Sequence, residues 1–412
     1  MALDTNPYKG VRDFYPEDQY IQNYLFAILR DTAESFGYQE YSASILEPAE
    51  LYKSKTSEEI VNEQTYAFKD RGDRDVVLRP EMTPTVARMV AAKRQEVSFP
   101  LRWYSLPNVF RYERPQKGRL REHWQLNCDI FGVSNISADV EIISLAHEIL
   151  SRFGATENDF EIRVSDRRLL SGIFQELEID QVTESAVMRL LDKRAKIENF
   201  NEELGSLLKE KATGFTDHLD RASSSPELED LLSQLNELGI KNVSIDTSIV
   251  RGFDYYTGIV FEVFDTSPEN SRSLFGGGRY DNLLSLFDQE PLPAVGFGMG
   301  DVTLRDFLVV HNLLPEVSSR THLYLCALSD EARRYCNLLA QDLRDEALNV
   351  EVDASDRKIG EQIKLADKKR IPYVICVGED EMSSDSYTLK RLADGEEEKV
   401  ERADIARIIL SA

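Results

Sequence analysis

A short segment between two strand-like runs constrains this chain more than any other feature. Residues 251–258 read Arg-Gly-Phe-Asp-Tyr-Tyr-Thr-Gly, so a cation, a carboxylate and two phenols lie between two glycines. The flanking runs, 244–250 and 259–264, carry the branched and aromatic side chains typical of strands. The segment therefore predicts a sheet that holds Arg251 and Tyr256 over a pocket. A turn with its tyrosines packed in the core is the alternative.

Composition limits the class of protein. A chain of 412 residues with 42% hydrophobic content predicts two or three globular domains with a sizeable core. The net charge of −24 argues against a protein that coats nucleic acid by bulk attraction. A nucleic-acid partner would have to bind through local basic patches.

Targeting and metal-binding patterns are missing from the sequence. The start has neither a basic region nor an apolar region of an export signal, and no apolar run is long enough to span a bilayer. The four cysteines form no C-x-x-C pair, and the five histidines form no H-x-x-x-H pattern. We therefore expect a cytoplasmic protein with reduced thiols, no membrane association and no structural metal.

Periodicity predicts three regions. Residues 18–36 and 137–153 have helical spacing of apolar side chains and end before Gly37 and Gly154. Residues 178–240 are rich in charged residues, leucine and alanine, which indicates a helical insertion. Beyond residue 319, strands alternate with helices, which predicts a largely parallel sheet. The expected strands are 323–327, 350–352 and 371–377, and the expected helices are 330–346 and 359–369.

A carboxylate follows a proline in the run Leu-Arg-Pro-Glu-Met-Thr at 78–83. Glu81 in such a turn can bind an ammonium group. The alternative is a capping box, since Thr83 precedes a helical run at 84–92, and both can hold at once, with Thr83 capping the helix and Glu81 free.

Residues 110–129 predict two strands around a basic loop. Arg111 stands at the end of the first strand, and the loop holds Arg114, Lys117, Arg119 and Arg121. Clustered guanidinium groups repel one another unless an anion binds, and their geometry suits phosphate oxygens. A solvated basic hairpin is the alternative.

Two glycine-rich segments follow. Residues 275–281 read Phe-Gly-Gly-Gly-Arg-Tyr-Asp, and residues 293–300 read Pro-Ala-Val-Gly-Phe-Gly-Met-Gly. Glycines let a backbone approach a ligand closely. No Gly-Lys-Ser/Thr follows, so neither segment is a P-loop. Plain strand packing is the alternative.

Taken in order, these segments resemble the motifs of class II histidyl-tRNA synthetases. Residues 110–129 resemble class II motif 2 in its histidyl form, 251–256 and 275–281 resemble the two histidine motifs, and 293–300 resemble motif 3. The run Lys-Gly-Val-Arg-Asp-Phe at 9–14 and the C-terminal runs 358–369 and 371–374 extend the resemblance over almost the whole chain. The resemblance implies an α+β class II synthetase catalytic core, an antiparallel sheet with helices, at 1–177 and 241–318. It also implies a helical insertion domain at 178–240 and a C-terminal α/β anticodon-binding domain at 319–412.

The same resemblance implies an activity and its partners. A homodimer would activate L-histidine with ATP, which carries Mg²⁺, and transfer it to the 3′ end of tRNA(His). The implied catalytic cations are Arg111 and Arg251. The implied histidine-binding residues are Glu81, Thr83, Gln125, Asp129, Tyr256 and Tyr280. The implied ATP-binding residues are Arg111, Glu113, Arg119, His123, Arg251, Gly298 and Gly300. The implied tRNA-binding residues are Arg114, Gln116, Lys364 and Lys368.

The sequence departs from the family pattern at several positions. Ser44 stands where motif 1 usually has a proline, and Pro48 comes later. Thr303 replaces the motif 3 arginine, with Arg305 two residues on, and His123 replaces the phenylalanine that usually stacks on adenine. Asp129 stands where a glutamate is common. We hypothesise that His123 stacks on adenine and that Arg305 or Arg279 covers the opposite face.

Two other functions remain as alternatives. The regulatory subunit of ATP phosphoribosyltransferase resembles the catalytic core, but it lacks the C-terminal domain and the full Arg-Gly-x-Asp-Tyr-Tyr motif that this chain has. A tRNA-sensing pseudo-synthetase is opposed by Glu81, Arg111, Gln125 and Arg251, although Thr303 leaves it open.

Overall fold

The structure is a computed structural model that describes residues 3–53, 64–113, 118–192, 194, 197, 199–221, 224–249, 255–270 and 272–411. The chain divides into two compact units, Met1–Pro315 and Glu316–Ala412. No helix in the described part of the chain is both long and apolar enough to cross a bilayer.

The first unit is built on a large, mostly antiparallel sheet. Its strands, together with those of a smaller sheet, are β1 (Gln39–Glu40), β2 (Leu46–Pro48), β3 (Tyr66–Lys69), β4 (Asp75–Leu78), β5 (Leu101–Ser105), β6 (Asn108–Phe110), β7 (Glu122–Phe131), β8 (Phe160–Asp166), β9 (Val243–Ile245), β10 (Ile259–Asp265), β11 (Ser273–Arg279) and β12 (Ala294–Gly300). The large sheet has the order β1-β5-β7-β12-β11-β10-β8-β9, with β6 also paired to β7. Only the outer pairs β1–β5 and β8–β9 are parallel, so the expected antiparallel core is confirmed.

Helices cover this sheet and form the helical region. They are α1 (Pro16–Ser35), α2 (Glu50–Lys53), α3 (Thr83–Lys93), α4 (Ser137–Arg152), α5 (Arg167–Glu176), α6 (Gln181–Asp192), α7 (Phe200–Leu208), α8 (Ala212–Arg221), α9 (Pro226–Glu237) and α10 (Asp301–Val310). Short 3₁₀ turns lie at Lys209–Lys211 and Leu283–Phe287.

The two helices with the strongest sequence periodicity form where they were expected. In α1, Pro16 occupies the first turn beside two acidic residues, and Gly37 beyond its end has a φ of +83°. Gly154 beyond α4 has a φ of +95°. Glycine adopts this left-handed backbone without strain, so each helix ends close to its glycine.

Helices α5 to α8 share a core of their own. Its fully or mostly buried members include Phe174, Leu191, Leu204 and Phe215, and the rings of Phe174 and Phe215 stack with centroids 5.4 Å apart. Helix α9 differs, because it contacts α4, β8 and β9 of the sheet instead.

The second unit is a five-stranded sheet with helices. Its elements are β13 (Leu323–Ala327), α11 (Asp330–Asp345), β14 (Val350–Val352), α12 (Ile359–Lys368), β15 (Tyr373–Val377), α13 (Glu379–Ser384), β16 (Ser386–Arg391), β17 (Glu397–Glu401) and α14 (Arg402–Ser411). Strand β13 pairs in parallel with β14 and β15, as expected. The antiparallel strands β16 and β17 and the last helix were not predicted, so the sheet is mixed.

Thr83 does not cap the helix that follows Glu81. It is the first residue of α3, and Met82 occupies the N-cap position without a side-chain hydrogen bond. The capping alternative is wrong because the helix begins at Thr83 itself, one residue before the expected run at 84–92, with Pro84 in its first turn.

Candidate active site

A cavity opens where the turn after β4 meets strands β7, β11 and β12. It encloses about 360 Å³ of space that is open to solvent. Its lining combines one carboxylate, one guanidinium, amides, phenols and exposed backbone. The lining residues are Glu81, Thr83, Arg111, Gln125, Asn127, Tyr255, Tyr256, Gly276, Tyr280, Gly296, Phe297 and Gly298. Six side chains that the sequence predicted for the site are therefore together in one cavity: Glu81, Thr83, Arg111, Gln125, Tyr256 and Tyr280.

Two of the lining side chains, Glu81 and Gln125, present acceptor groups. Glu81 is only 3% exposed, and the phenol of Tyr255 donates to its Oε2 at 3.1 Å. Gln125 contributes an Oε1 atom that is buried and has no hydrogen-bond partner among the described residues. A buried acceptor without a donor is costly, so the cavity favours a ligand that brings N–H groups and positive charge.

Among the described lining residues, Arg111 supplies the positive charge. It follows β6, and its Nε donates to the carbonyl of Pro80 at 2.9 Å. Its backbone N–H donates to Arg121 across the hairpin, also at 2.9 Å. The guanidinium is therefore fixed beside the residue that precedes Glu81, where it can bind an anion.

Glycines are required where side chains press against the backbone of β12. A Cβ at Gly298 would overlap Nε2 of Gln125 and lie 3.0 Å from its Cδ. A Cβ at Gly296 would overlap a carboxylate oxygen of Asp129 and lie 2.6 Å from the carbonyl oxygen of Cys128. The glycines thus let the side chains of β7 lie flat against the neighbouring strand.

Asp129 does not line the cavity itself. Its Oδ1 accepts a hydrogen bond from the phenol of Tyr280, which does line it, while Oδ2 is buried and has no partner within the described residues. Burial raises the pKa of Asp129 to about 7, and the Tyr280 hydrogen bond opposes that rise only in part. Asp129 therefore reaches the cavity through Tyr280 rather than by direct contact.

The other described residues predicted to bind the nucleotide, Glu113, Arg119, His123 and Gly300, do not line the cavity. Arg119 and Glu113 form an ion pair at 3.3 Å. A Cβ at Gly300 would lie 3.8 Å from Cδ2 of His123, so the imidazole packs over this glycine. Burial lowers the pKa of His123 to about 3, and the charges of Arg111 and Arg12 add to the effect. The ring is therefore neutral at physiological pH.

The two arginines proposed to cover the second face of adenine are engaged to different degrees. Arg279 pairs with Asp139 and donates to the carbonyls of Val133 and Asn135, at 2.9 Å and 3.1 Å. Arg305 pairs with Asp18 at 2.8 Å, and neither arginine lines the cavity.

At the motif 3 position itself, the Thr303 hydroxyl donates to the carbonyl of Leu274 at 2.7 Å. The Arg279 alternative is therefore wrong, because its guanidinium donors are taken up by Asp139 and by backbone carbonyls, whereas the Arg305 alternative stays a prediction.

Arg251, Arg114 and Gln116 lie outside the described residues. Lys364 and Lys368 are exposed on α12 of the second unit.

Sequence reasoning missed several lining residues. Asn127 lies between Gln125 and Asp129 on β7, and alternation along a strand would have placed all three on one face. Tyr255 lies in the segment 251–258, but the motif did not predict it as a site residue. Its hydrogen bond to Glu81 joins residues that are 174 positions apart along the chain. No sequence pattern indicated that Phe297 lines the cavity, since an aromatic residue between glycines is also typical of a core strand.

Comparison with known proteins shows which family this chain resembles. A family model described as histidyl-tRNA synthetase matches residues 10–302, and one described as an anticodon binding domain matches residues 322–412. The chain is 43% identical over 414 residues to a histidine–tRNA ligase of Leptospira biflexa, covering 95% of this chain and 94% of that protein. It is 40% identical over 414 residues to a histidine–tRNA ligase of Haloarcula marismortui, with coverage of 95% and 94%.

A solved structure supports the same assignment. The histidyl-tRNA synthetase of Nostoc sp. PCC 7120 superposes with a TM-score of 0.81 at 25% identity and covers 100% of both chains. Its fold, the matched family models and the identity to curated relatives extend over both units. The chain therefore belongs to the histidyl-tRNA synthetase family.

Proposed function

We propose that this chain is a histidine–tRNA ligase that works in two steps. A carboxylate oxygen of histidine attacks the α-phosphorus of ATP, which forms histidyl-adenylate and releases pyrophosphate. A ribose hydroxyl at the 3′ end of tRNA(His) then attacks the carbonyl carbon of the adenylate, and AMP leaves. The observation that carries this proposal is the cavity that joins Glu81 and Arg111 in a chain of this family.

The lining side chains suit the different groups of the two substrates. Glu81, Thr83 and Gln125 bind the ammonium of histidine, while Tyr256 and Tyr280 surround its imidazole, with Asp129 behind Tyr280. Arg111 binds the α-phosphate, and Arg251 is assigned the same task from the sequence. ATP enters with its Mg²⁺, and its remaining contacts are assigned to Glu113, Arg119, His123, Gly298 and Gly300.

Histidine-dependent exchange of labelled pyrophosphate into ATP tests the first step, and charging of tRNA(His) tests the second. Exchange with histidine and with no other amino acid supports the proposal. A protein that binds histidine without any exchange would instead be a non-catalytic relative. Exchange without charging would contradict the second step.

The neutral ring of His123 predicts how adenine is held. We expect His123→Phe to keep the ATP KM, since a larger ring still stacks. We expect His123→Ala to raise it about 10-fold, because losing a stacking partner costs on the order of 1–3 kcal/mol. The histidine KM should be unchanged in both. Pyrophosphate exchange at varied ATP measures this, and an alanine variant with the wild-type ATP KM would show that His123 only packs over Gly300.

The second unit is proposed to dock tRNA through α12. Ile359 and Ile363 pack into the core beneath this helix, as predicted, while Lys364 and Lys368 are exposed. The neighbouring Lys369 differs from these two lysines, because its ammonium group pairs with Glu351. On a chain with a net charge of −24, two exposed lysines on one helix face offer a local phosphate contact.

Replacing both Lys364 and Lys368 with glutamine is expected to raise the tRNA KM several-fold and to reduce its dependence on salt concentration. Pyrophosphate exchange should stay normal, because α12 takes no part in activation. Lys390→Gln on the same unit is a suitable control, since Lys390 already pairs with Glu397 at 2.7 Å. An unchanged tRNA KM in the double variant would mean that α12 is simply a solvated helix.

In the family, Arg114 and Gln116 belong to a loop that contacts tRNA, and we assign them that role.

The quaternary and domain organisation follows from the same family membership. We infer a homodimer because the resemblance to the family implies one. The inference does not rest on the motif 1 proline, since Ser44 stands at that position. We also infer that residues 178–240 act as an insertion between the two parts of the catalytic domain, 1–177 and 241–318, and that 319–412 form the anticodon-binding domain.

A further inference from the structure

A buried chain of hydrogen bonds lies beneath the Glu81 turn. Tyr52, in α2, is 1% exposed, and its hydroxyl lies 2.9 Å from Oγ1 of Thr85 and 3.2 Å from the carbonyl oxygen of Glu81. Thr85 is fully buried in α3 and donates to Oε1 of Glu47 at 3.1 Å. Glu47, in β2, is 4% exposed and pairs with Arg88 at 2.8 Å.

The direction of these bonds is fixed by the carboxylate at one end. Glu47 can only accept when ionised, so the Thr85 hydroxyl must donate to it. Oγ1 of Thr85 is then an acceptor for Tyr52. The single phenolic proton of Tyr52 is therefore shared between Thr85 and the Glu81 carbonyl, which ties that carbonyl to β2 and α3.

Glu81 is thus held at both its backbone and its side chain. Tyr52 contacts its carbonyl from the buried side, and Tyr255 donates to its carboxylate in the cavity. The preceding carbonyl, that of Pro80, accepts the Nε of Arg111. Tyr52 itself does not line the cavity, so any influence it has on substrate must pass through Glu81.

We propose that Tyr52 is a positioning residue for the ammonium site, which it orients by fixing the backbone of Glu81 to the Thr85–Glu47 pair. The proposal rests on the proposed function, in which Glu81 binds the ammonium of histidine. Removing the Tyr52 hydroxyl frees the turn to move, and the loss falls on histidine binding because that group contacts Glu81.

The test is Tyr52→Phe, which removes one oxygen and keeps the ring packed near Ala49, Leu51 and Val77. We expect the histidine KM in pyrophosphate exchange to rise about 5- to 10-fold, which is the size of one net hydrogen bond, while the ATP KM stays within about 2-fold. Thr85→Val should also raise the histidine KM. Thr85→Ser, which keeps the hydroxyl, should leave the histidine KM at the wild-type value.

Tyr104→Phe is the matched control. Tyr104 is also a fully buried tyrosine of the first unit, and its hydroxyl donates to Glu34 at 2.8 Å, away from the cavity. It should lose similar stability, read as Tm, without a change in histidine KM. A wild-type histidine KM in Tyr52→Phe, or equal rises in the histidine and ATP KM values, would overturn the positioning role. Absence of histidine-dependent exchange in the wild-type protein would instead refute the proposed function.

Discussion

An Arg111→Ala variant is expected to form histidyl-adenylate about 100- to 1,000-fold more slowly than the wild-type protein, as when one preorganised donor is removed from an anionic transition state. Arg111 is the guanidinium that the described structure places in the cavity, and its Nε is already anchored on Pro80. Negative charge shifts on the α-phosphate as the carboxylate attacks. A cation fixed before the reaction stabilises that charge without further reorganisation.

Single-turnover formation of adenylate measures this effect directly. Arg111→Lys should recover only part of the rate, because an ammonium group cannot both donate to Pro80 and present a planar fork to phosphate. Arg152→Ala is the control, since Arg152 pairs with Glu148 at 2.8 Å on the surface of α4. Near-normal adenylate formation by Arg111→Ala would mean that another cation carries the phosphate, with Arg251 the first to examine.

A Gly277→Ala variant is expected to lose about 3 kcal/mol of unfolding free energy, at the upper end of typical over-packing costs. The new methyl group would overlap the carbonyl oxygen of Gly296 and lie 2.6 Å from Cβ of Phe297. These atoms belong to β12, so the overlap can be relieved only if strands β11 and β12 move apart. Because β12 carries Gly296, Phe297 and Gly298 of the cavity lining, activity should fall together with stability.

Thermal or denaturant unfolding measures the loss of stability. Gly205→Ala is the matched control, because Gly205 lies in α7 and a Cβ there would meet nothing within 4 Å. That change should raise stability by up to about 1 kcal/mol, since alanine favours a helix more than glycine does. If Gly277→Ala kept the wild-type Tm, β11 and β12 would have to accommodate the methyl group by a small backbone shift.

Features with a local cause were readable from the sequence. Helices α1 and α4 and the strands and helices from β13 to β15 formed close to their predicted ranges, because apolar periodicity and terminal glycines act within a few residues. The mixed sheet of the second unit was not readable, since β16 and β17 pair antiparallel after a region without a strong strand signal.

The sequence by itself determined the family and predicted the residues of the candidate site. Motif order predicted Glu81, Thr83, Arg111, Gln125, Tyr256 and Tyr280, and the structure brings them together in one cavity. The tertiary structure alone decided which groups remain available. Arg279 is engaged by Asp139, Asp129 acts from behind Tyr280, and Tyr52 supports Glu81. The physical reason is that these hydrogen bonds and ion pairs join distant segments, whereas a motif shows only the neighbours of a residue along the chain.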